Sequence, residues 1–158
     1  VRGAGLALVT DVRRFPGSRR HPQYSRDDLA RSLGDLDVGY RWAERLGGRR
    51  PGVADSPNVG LRNVSFRGYA DHMQTPEFGA ALAELLDDAA RRPTAVMCAE
   101  SLWWRCHRRL IADAAALLHG VEVRHVLPDG RQQQHPPTAG AVVEHGVLVY
   151  RPPQAALL

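Results

Sequence analysis

The chain predicts an α/β fold, a mainly parallel sheet flanked by helices in a single domain. Three observations carry that prediction. Two short apolar runs, Leu6–Val12 and Thr94–Cys98, are bounded by turn residues and are too short for helices, so they read as buried strands. Segments with apolar residues at helical spacing lie between and after them. The resulting order is strand, helix, strand, helices, strand, helix, strand, which is the order of parallel α/β units.

The elements follow in turn. Leu6–Val12 ends in Asp11-Val12-Arg13-Arg14-Phe15-Pro16-Gly17, where Pro-Gly marks a turn. A basic loop continues through Ser18-Arg19-Arg20-His21-Pro22. Ser25 ahead of Arg26-Asp27-Asp28 is an N-cap with an acidic first turn, and Leu29, Ala30, Leu33 and Leu36 give a short helix. Val38–Trp42 is a second strand. From Glu44 to about Ser65 runs a long loop rich in Gly, Pro, Asp, Ser and Asn, a length that usually signals function or disorder. Phe66, Tyr69, Ala70 and Met73 share one helical face. Thr75-Pro76 restarts a helix with a cap and a first-position proline, and Phe78, Ala81, Leu82, Leu85, Leu86 and Ala89 form its stripe. After Thr94–Cys98 a helix is expected over Arg105–His119, stopped at His119-Gly120. Val121–Val126 reads as a further strand, placed parallel to and beside the other two, and Pro128-Asp129-Gly130 closes it. In the tail, Val142-Val143 and Val147–Tyr150 flank Glu144-His145-Gly146 as a small hairpin.

Composition narrows the function classes. The chain has 158 residues and 44% apolar content, enough for one soluble core. No run of about 18 apolar residues exists, so no membrane span is expected, and no signal peptide is visible. Two cysteines outside any zinc-finger spacing suggest a reducing, cytoplasmic setting. The chain opens on Val1, as an alternative start codon or a missing beginning would leave it. All 21 basic residues are arginine, which excludes Schiff-base lysine chemistry and offers planar forks for carboxylate or phosphate. The net charge of +4 permits an anionic small molecule or nucleic acid as partner without demanding one. The sequence indicates no cofactor and no oligomeric state.

The residues that carry chemistry gather after the Thr94–Cys98 strand. Ligands of parallel sheets bind just outside the carboxyl ends of the strands, where Cys98, Glu100, Cys106 and His107 are the catalytic candidates. A thiol at a helix start beside an imidazole has a depressed pKa. Cys98 and Cys106 then read as a redox couple, as a nucleophile with a helper, or as two small packing residues. A Cys-x5-Arg phosphatase or rhodanese-like loop fails, because the arginine position falls on Trp104 and Arg105 is one step too far. Cys98, Cys106, His107 and His125 show no CxxC, HxH or HExxH spacing, so no metal site is expected. Glu100 is either a general base or, more in keeping with the many arginines, the ion-pair partner of Arg13 or Arg108. Arg13, Arg14, Arg49, Arg50, Arg67 and Arg108 come from four segments and can converge on one anion site, with Arg13 and Arg108 meeting across a gap. Phe15, Phe66, Tyr69 and Trp104 lie beside them and can stack on a base. The competing account is a set of solvated charges.

Taken together, DVRRFPGSRRHP, ERLGGRRP, SFRGYADHMQTPEF and the MCAES and RCHRRLIAD segments resemble the DUF488 family, over roughly Leu6 to Gly130. The resemblance implies a compact α/β domain over residues 1–130, followed by the 131–158 tail with its hairpin. Two departures stand out. Family members begin with an extra strand and helix that are absent here, and they often carry a proline where Leu102-Trp103-Trp104 stands. The family is one of unknown function. The first functional expectation is an enzyme acting on a phosphorylated or nucleic-acid-related anion; the alternative is a non-catalytic nucleotide or nucleic-acid binding module.

Overall fold

A computed structural model describes residues 2–17 and 19–152. Ser18 in the basic loop and the last residues of the tail, 153–158, lie outside the described residues. The elements are β1 (Leu8–Asp11), α1 (Arg26–Gly34), β2 (Gly39–Trp42), α2 (Val64–His72), α3 (Pro76–Arg91), β3 (Thr94–Met97), α4 (Arg108–His119), β4 (Arg124–Val126), β5 (Gln132–Gln134), β6 (Ala141–Glu144) and β7 (Val147–Tyr150).

The sheet that places the site has three parallel strands in the order β2-β1-β3. Leu8 pairs with Gly39 on one side and Thr94 on the other, and Asp11 with Trp42 and Met97. Strand alternation sends Val9, Tyr40 and Met97 to one face, where they pack with Leu29, Leu33 and Leu36 of the α1 unit. Val96 faces the larger core on the opposite side, built from α2, α3, α4 and β7 around Tyr69, Phe78, Leu82, Leu110 and Tyr150. The chain therefore leaves β1 along one face, reaches β2, and crosses back over the other face to β3. β1 is the point at which the strand order reverses, so its carboxyl end and that of β3 bound a crevice.

Local signals explain the helices. Asn63 caps α2 through its side chain, which accepts from the Ser65 and Phe66 amides. Thr75 caps α3 and Pro76 occupies its first turn, as the sequence predicts. The long loop before α2 is ordered by a half-buried acceptor: Asp71 accepts from Ser56, from Asn58 and from the Val53 amide.

The expectation for Val121–Val126 is corrected. β4 covers only Arg124–Val126 and is not part of the parallel sheet; it pairs antiparallel with β5 across the Pro128-Asp129-Gly130 turn. Glu122 and Arg124 alternate with Val121, Val123 and His125. A strand with a charge on every second residue suits a one-sided hairpin, not a sheet covered on both faces. The helix expected from Arg105 starts at Arg108, because Trp103–Arg105 forms a separate 3-10 turn. The tail hairpin does form, as β6 and β7, and Leu148 and Tyr150 of β7 enter the larger core. The architecture is thus α/β, with a three-stranded parallel sheet and two small antiparallel pairs.

Candidate active site

A cavity of about 530 Å³ opens in the crevice beyond β1 and β3. β1 delivers Arg13, Arg14 and Phe15 to it, and β3 delivers Cys98, Ala99 and Glu100. The 3-10 turn and the start of α4 add Arg105, Cys106 and His107. The long loop and α2 close the far wall with Gly48, Arg49, Ser65, Phe66 and Tyr69.

The cysteines and the histidine are brought together. The Sγ atoms of Cys98 and Cys106 and a ring nitrogen of His107 all lie within 4.8 Å of one another. His107 Nδ1 is 3.6 Å from Cys106 Sγ, and its Nε2 is 3.1 Å from the Val12 carbonyl oxygen. A carbonyl only accepts, so Nε2 carries a proton and Nδ1 is the nitrogen that meets the sulfur. Tyr69 packs its ring 4.9 Å from the imidazole. A methyl group on Gly48 would sit 3.0 Å from His107 Nδ1, a tight contact from which the ring would have to give by a few tenths of an ångström. Arg108 donates its Nε–H to Cys106 Sγ at 3.4 Å. A hydrogen bond from Cys98, then His107 and the Arg108 amide, hold the Cys106 thiol well below its ordinary pKa. The same shared proton, together with burial, pushes Cys98 up. Cys106 is thus the more acidic thiol of the pair. Both sulfurs are free of a disulfide.

The arginines divide into two groups. Arg14 and Arg49 line the cavity, and Arg14 donates to the Arg49 carbonyl at 2.5 Å, clipping the two loops together. Arg105 joins them on the wall. Among the described residues, none of these three has a carboxylate within ion-pair reach. Arg13 also lines the cavity, yet its guanidinium is held by Asp11 through Nε and Nη2, and by the Tyr24 carbonyl through Nη1. Asp11 is fully buried and also accepts from Tyr40 at 2.6 Å. Arg50 is a brace, donating to the carbonyls of Gly47, Glu44 and Arg45. Arg67 braces the Leu61 carbonyl.

The expected meeting of Arg13 and Arg108 across an anion gap is not formed. Arg108 bends back to the carbonyls of Glu100 and Ser101 and to Cys106 Sγ, and it does not line the cavity. Glu100 does not pair with either arginine as expected. Its carboxylate accepts weakly from the Leu102 amide at 3.5 Å, and Arg108 takes its backbone oxygen instead. Asp11 and Arg13 are two residues apart at a strand end, so they satisfy each other first.

Two features escaped the sequence reading. Arg105 stands at the start of the helix expected over Arg105–His119, whereas the 3-10 turn Trp103–Arg105 presents it to the cavity. The second is a buried chain of polar groups beneath the 3-10 turn. His125 Nε2 meets His135 Nδ1 at 2.9 Å, His135 Nε2 meets Asp113 at 2.9 Å, and Tyr150 donates to Asp113 at 2.9 Å. His125 stacks on Trp103 at 3.9 Å. Its signal was present: Asp113 lies within the apolar Leu110, Ile111, Ala114 stripe, and a carboxylate on a core face needs partners.

The family model described as domain of unknown function DUF488 matches residues 1–115. The chain belongs to the DUF488 family. No curated protein and no solved structure matches the chain. In this DUF488 chain the matched span ends inside α4, so every residue lining the cavity lies within it.

Chemically, the cavity offers a thiolate, an imidazole of fixed orientation, a carboxylate, and guanidinium groups with donors to spare. Such a set suits a reaction at an electrophile carried by an anion, with the sulfur and imidazole acting either directly or as ligands.

Proposed function

We propose that the chain is an enzyme acting on a phosphorylated or nucleic-acid-related anion in the cavity between β1 and β3. One observation carries this reading: the Cys98–Cys106–His107 cluster lines the same cavity as Arg14, Arg49 and Arg105, three arginines that have no carboxylate partner among the described residues. The arginines hold the anion as bidentate forks. Phe15 and Phe66 are aromatic surfaces at its margin, Phe15 being 65% exposed and positioned to cover a base or sugar. The cluster is the reacting centre. Glu100 is the carboxylate within the cavity that can carry a proton. Arg13 acts through Asp11 by fixing the strand end, and Arg50, Arg67 and Arg108 hold the walls.

The test is a turnover screen over phosphate monoesters, nucleotides and oligonucleotides. A hit should vanish in Cys106→Ser while the affinity for the same compound stays within about threefold, roughly 0.7 kcal/mol. Loss of affinity should instead follow Arg14→Gln with Arg105→Gln. Turnover that survives Cys106→Ser would remove the cluster from the reaction. Tight binding with no turnover and a steep salt dependence would favour the non-catalytic binding module.

A further inference from the structure

We propose that Cys98, Cys106 and His107 form a three-ligand zinc site whose fourth position faces the cavity. The proposal deepens the reading of this cavity as an active site, and it rests on that reading only for the use of the metal, not for its binding.

The geometry is the first argument. Zinc binds thiolate at about 2.3 Å and imidazole nitrogen at about 2.0–2.1 Å, and tetrahedral legs of these lengths place sulfur and nitrogen about 3.6 Å apart. Cys106 Sγ and His107 Nδ1 stand 3.6 Å apart. With Cys98 Sγ, all three donor atoms lie within 4.8 Å of one another. A small inward adjustment of Cys98, half-buried at the end of β3, closes the set around one ion.

The orientation of the histidine is the second argument. Ligating histidines normally donate their other N–H to a carbonyl or carboxylate, which fixes the tautomer and turns the lone pair to the metal. His107 does this with the Val12 carbonyl at 3.1 Å. Tyr69 and Gly48 confine the ring from either side.

Ligand chemistry is the third. Two thiolates and an imidazole select a borderline-soft ion over magnesium or calcium, and two thiolate charges balance a divalent ion. Arg108 Nε–H on Cys106 Sγ is the outer-shell donor that supports a thiolate ligand. The pattern escapes spacing rules because Cys106 and His107 are adjacent in sequence, while Cys98 arrives from the strand before them.

All three ligands line the cavity, so the remaining position is open to substrate or water. Three protein ligands and an open position are the arrangement of catalytic zinc, which brings the pKa of its bound water to about 7. Glu100 lines the same cavity and is the carboxylate there to which such a water would lose its proton.

The intact chain, stripped with a chelator and dialysed against zinc, should retain one zinc ion per chain by elemental analysis. Cobalt in place of zinc should give tetrahedral d–d bands with a thiolate-to-cobalt charge-transfer band. Cys106→Ser and His107→Ala should each lower zinc affinity at least tenfold to roughly a hundredfold, the loss typical even of outer-shell partners. His125→Asn should keep one zinc per chain, since His125 belongs to the Asp113 chain and not to the cluster. Failure of the wild-type chain to retain zinc, a cobalt spectrum without thiolate charge transfer, or zinc retention in the Cys98→Ser, Cys106→Ser double variant would overturn the site. The cobalt spectrum is read on the wild-type protein, so a variant that fails to fold leaves the proposal testable. Zinc bound without turnover on any anion would leave this site standing and remove the proposed function.

Discussion

Asp11 and Arg13 set the chemistry of the rim at the scale of single residues. Their ion pair is buried, with an Nη2–Oδ2 distance of 2.6 Å, and Tyr40 completes the carboxylate's shell. Removing one partner of a buried pair strands the other charge, at about 3–5 kcal/mol. Asp11→Asn should therefore lower the unfolding free energy by about that amount, measured by urea denaturation. A loss below about 1 kcal/mol, the value of an exposed pair, would contradict the burial argument. The thiols differ just as sharply. In chelator-treated protein, iodoacetamide should modify Cys106 before Cys98, because Cys98, His107 and Arg108 all stabilise the Cys106 thiolate. A mass-spectrometric time course in which Cys98 reacts first would reverse the assignment. The sequence alone made Cys106 the reactive thiol, since its place before a helix start was legible from the apolar spacing of Leu110, Ile111 and Ala114. Which guanidinium groups stay free was not legible, because that depends on the nearest acceptor in space. Arg13 finds Asp11, Arg50 finds three carbonyls, and Arg105 finds neither among the described residues.

Between elements, the cavity depends on how closely the loop before α2 lies against that helix. A methyl group on Gly68 would fall 2.4 Å from the Arg50 carbonyl oxygen and 2.9 Å from the Gly52 nitrogen. Those are backbone atoms, so the segment that carries Gly48 and Arg49 would have to move. Gly68→Ala should destabilise by about 1–3 kcal/mol through overpacking, despite the better helix propensity of alanine. It should also weaken anion binding at the displaced Arg49. A variant with wild-type or higher melting temperature would show that the loop yields freely. The sequence announced α3 through Thr75-Pro76, and α2, α3 and α4 through apolar residues at helical spacing, but not the Asn63 cap of α2. It misplaced β4 because a short alternating run fits either a sheet edge or a local hairpin. The Pro-Asp-Gly turn settles the matter by making the antiparallel partner the nearest one in the chain.

For the molecule as a whole, the His125–His135–Asp113–Tyr150 chain ties the β4–β5 hairpin and β7 to α4, and this tie is sensitive to pH. Burial first, then His135 and Arg108, hold His125 down to about 4, against an ordinary value near 6.5. A base with a depressed folded pKa stays neutral in the fold while the unfolded chain takes up a proton. Its contribution to stability is complete above about 6.5 and is lost as the pH falls through the window towards 4. Urea unfolding between pH 6.5 and 5, where carboxylates remain ionised, should show that decline, and His125→Gln should flatten it. An unchanged profile in the variant would place the proton uptake elsewhere. The sequence shows only that Asp113, inside an apolar stripe, needs partners; which groups answer it is not legible, because they are spread as far as Tyr150 and only folding brings them together. The parallel arrangement of β1 and β3 was legible, and with it the end of the sheet where ligands bind. The central claim is that the cavity at that end binds an anion through Arg14, Arg49 and Arg105. Thermal unfolding in increasing phosphate or nucleoside monophosphate tests it most directly, since a ligand that binds only the fold raises the melting temperature. The account predicts a saturable rise in the wild type that disappears in the Arg14→Gln, Arg105→Gln double variant, which still unfolds in one cooperative transition without ligand. A double variant that keeps the full response would contradict it.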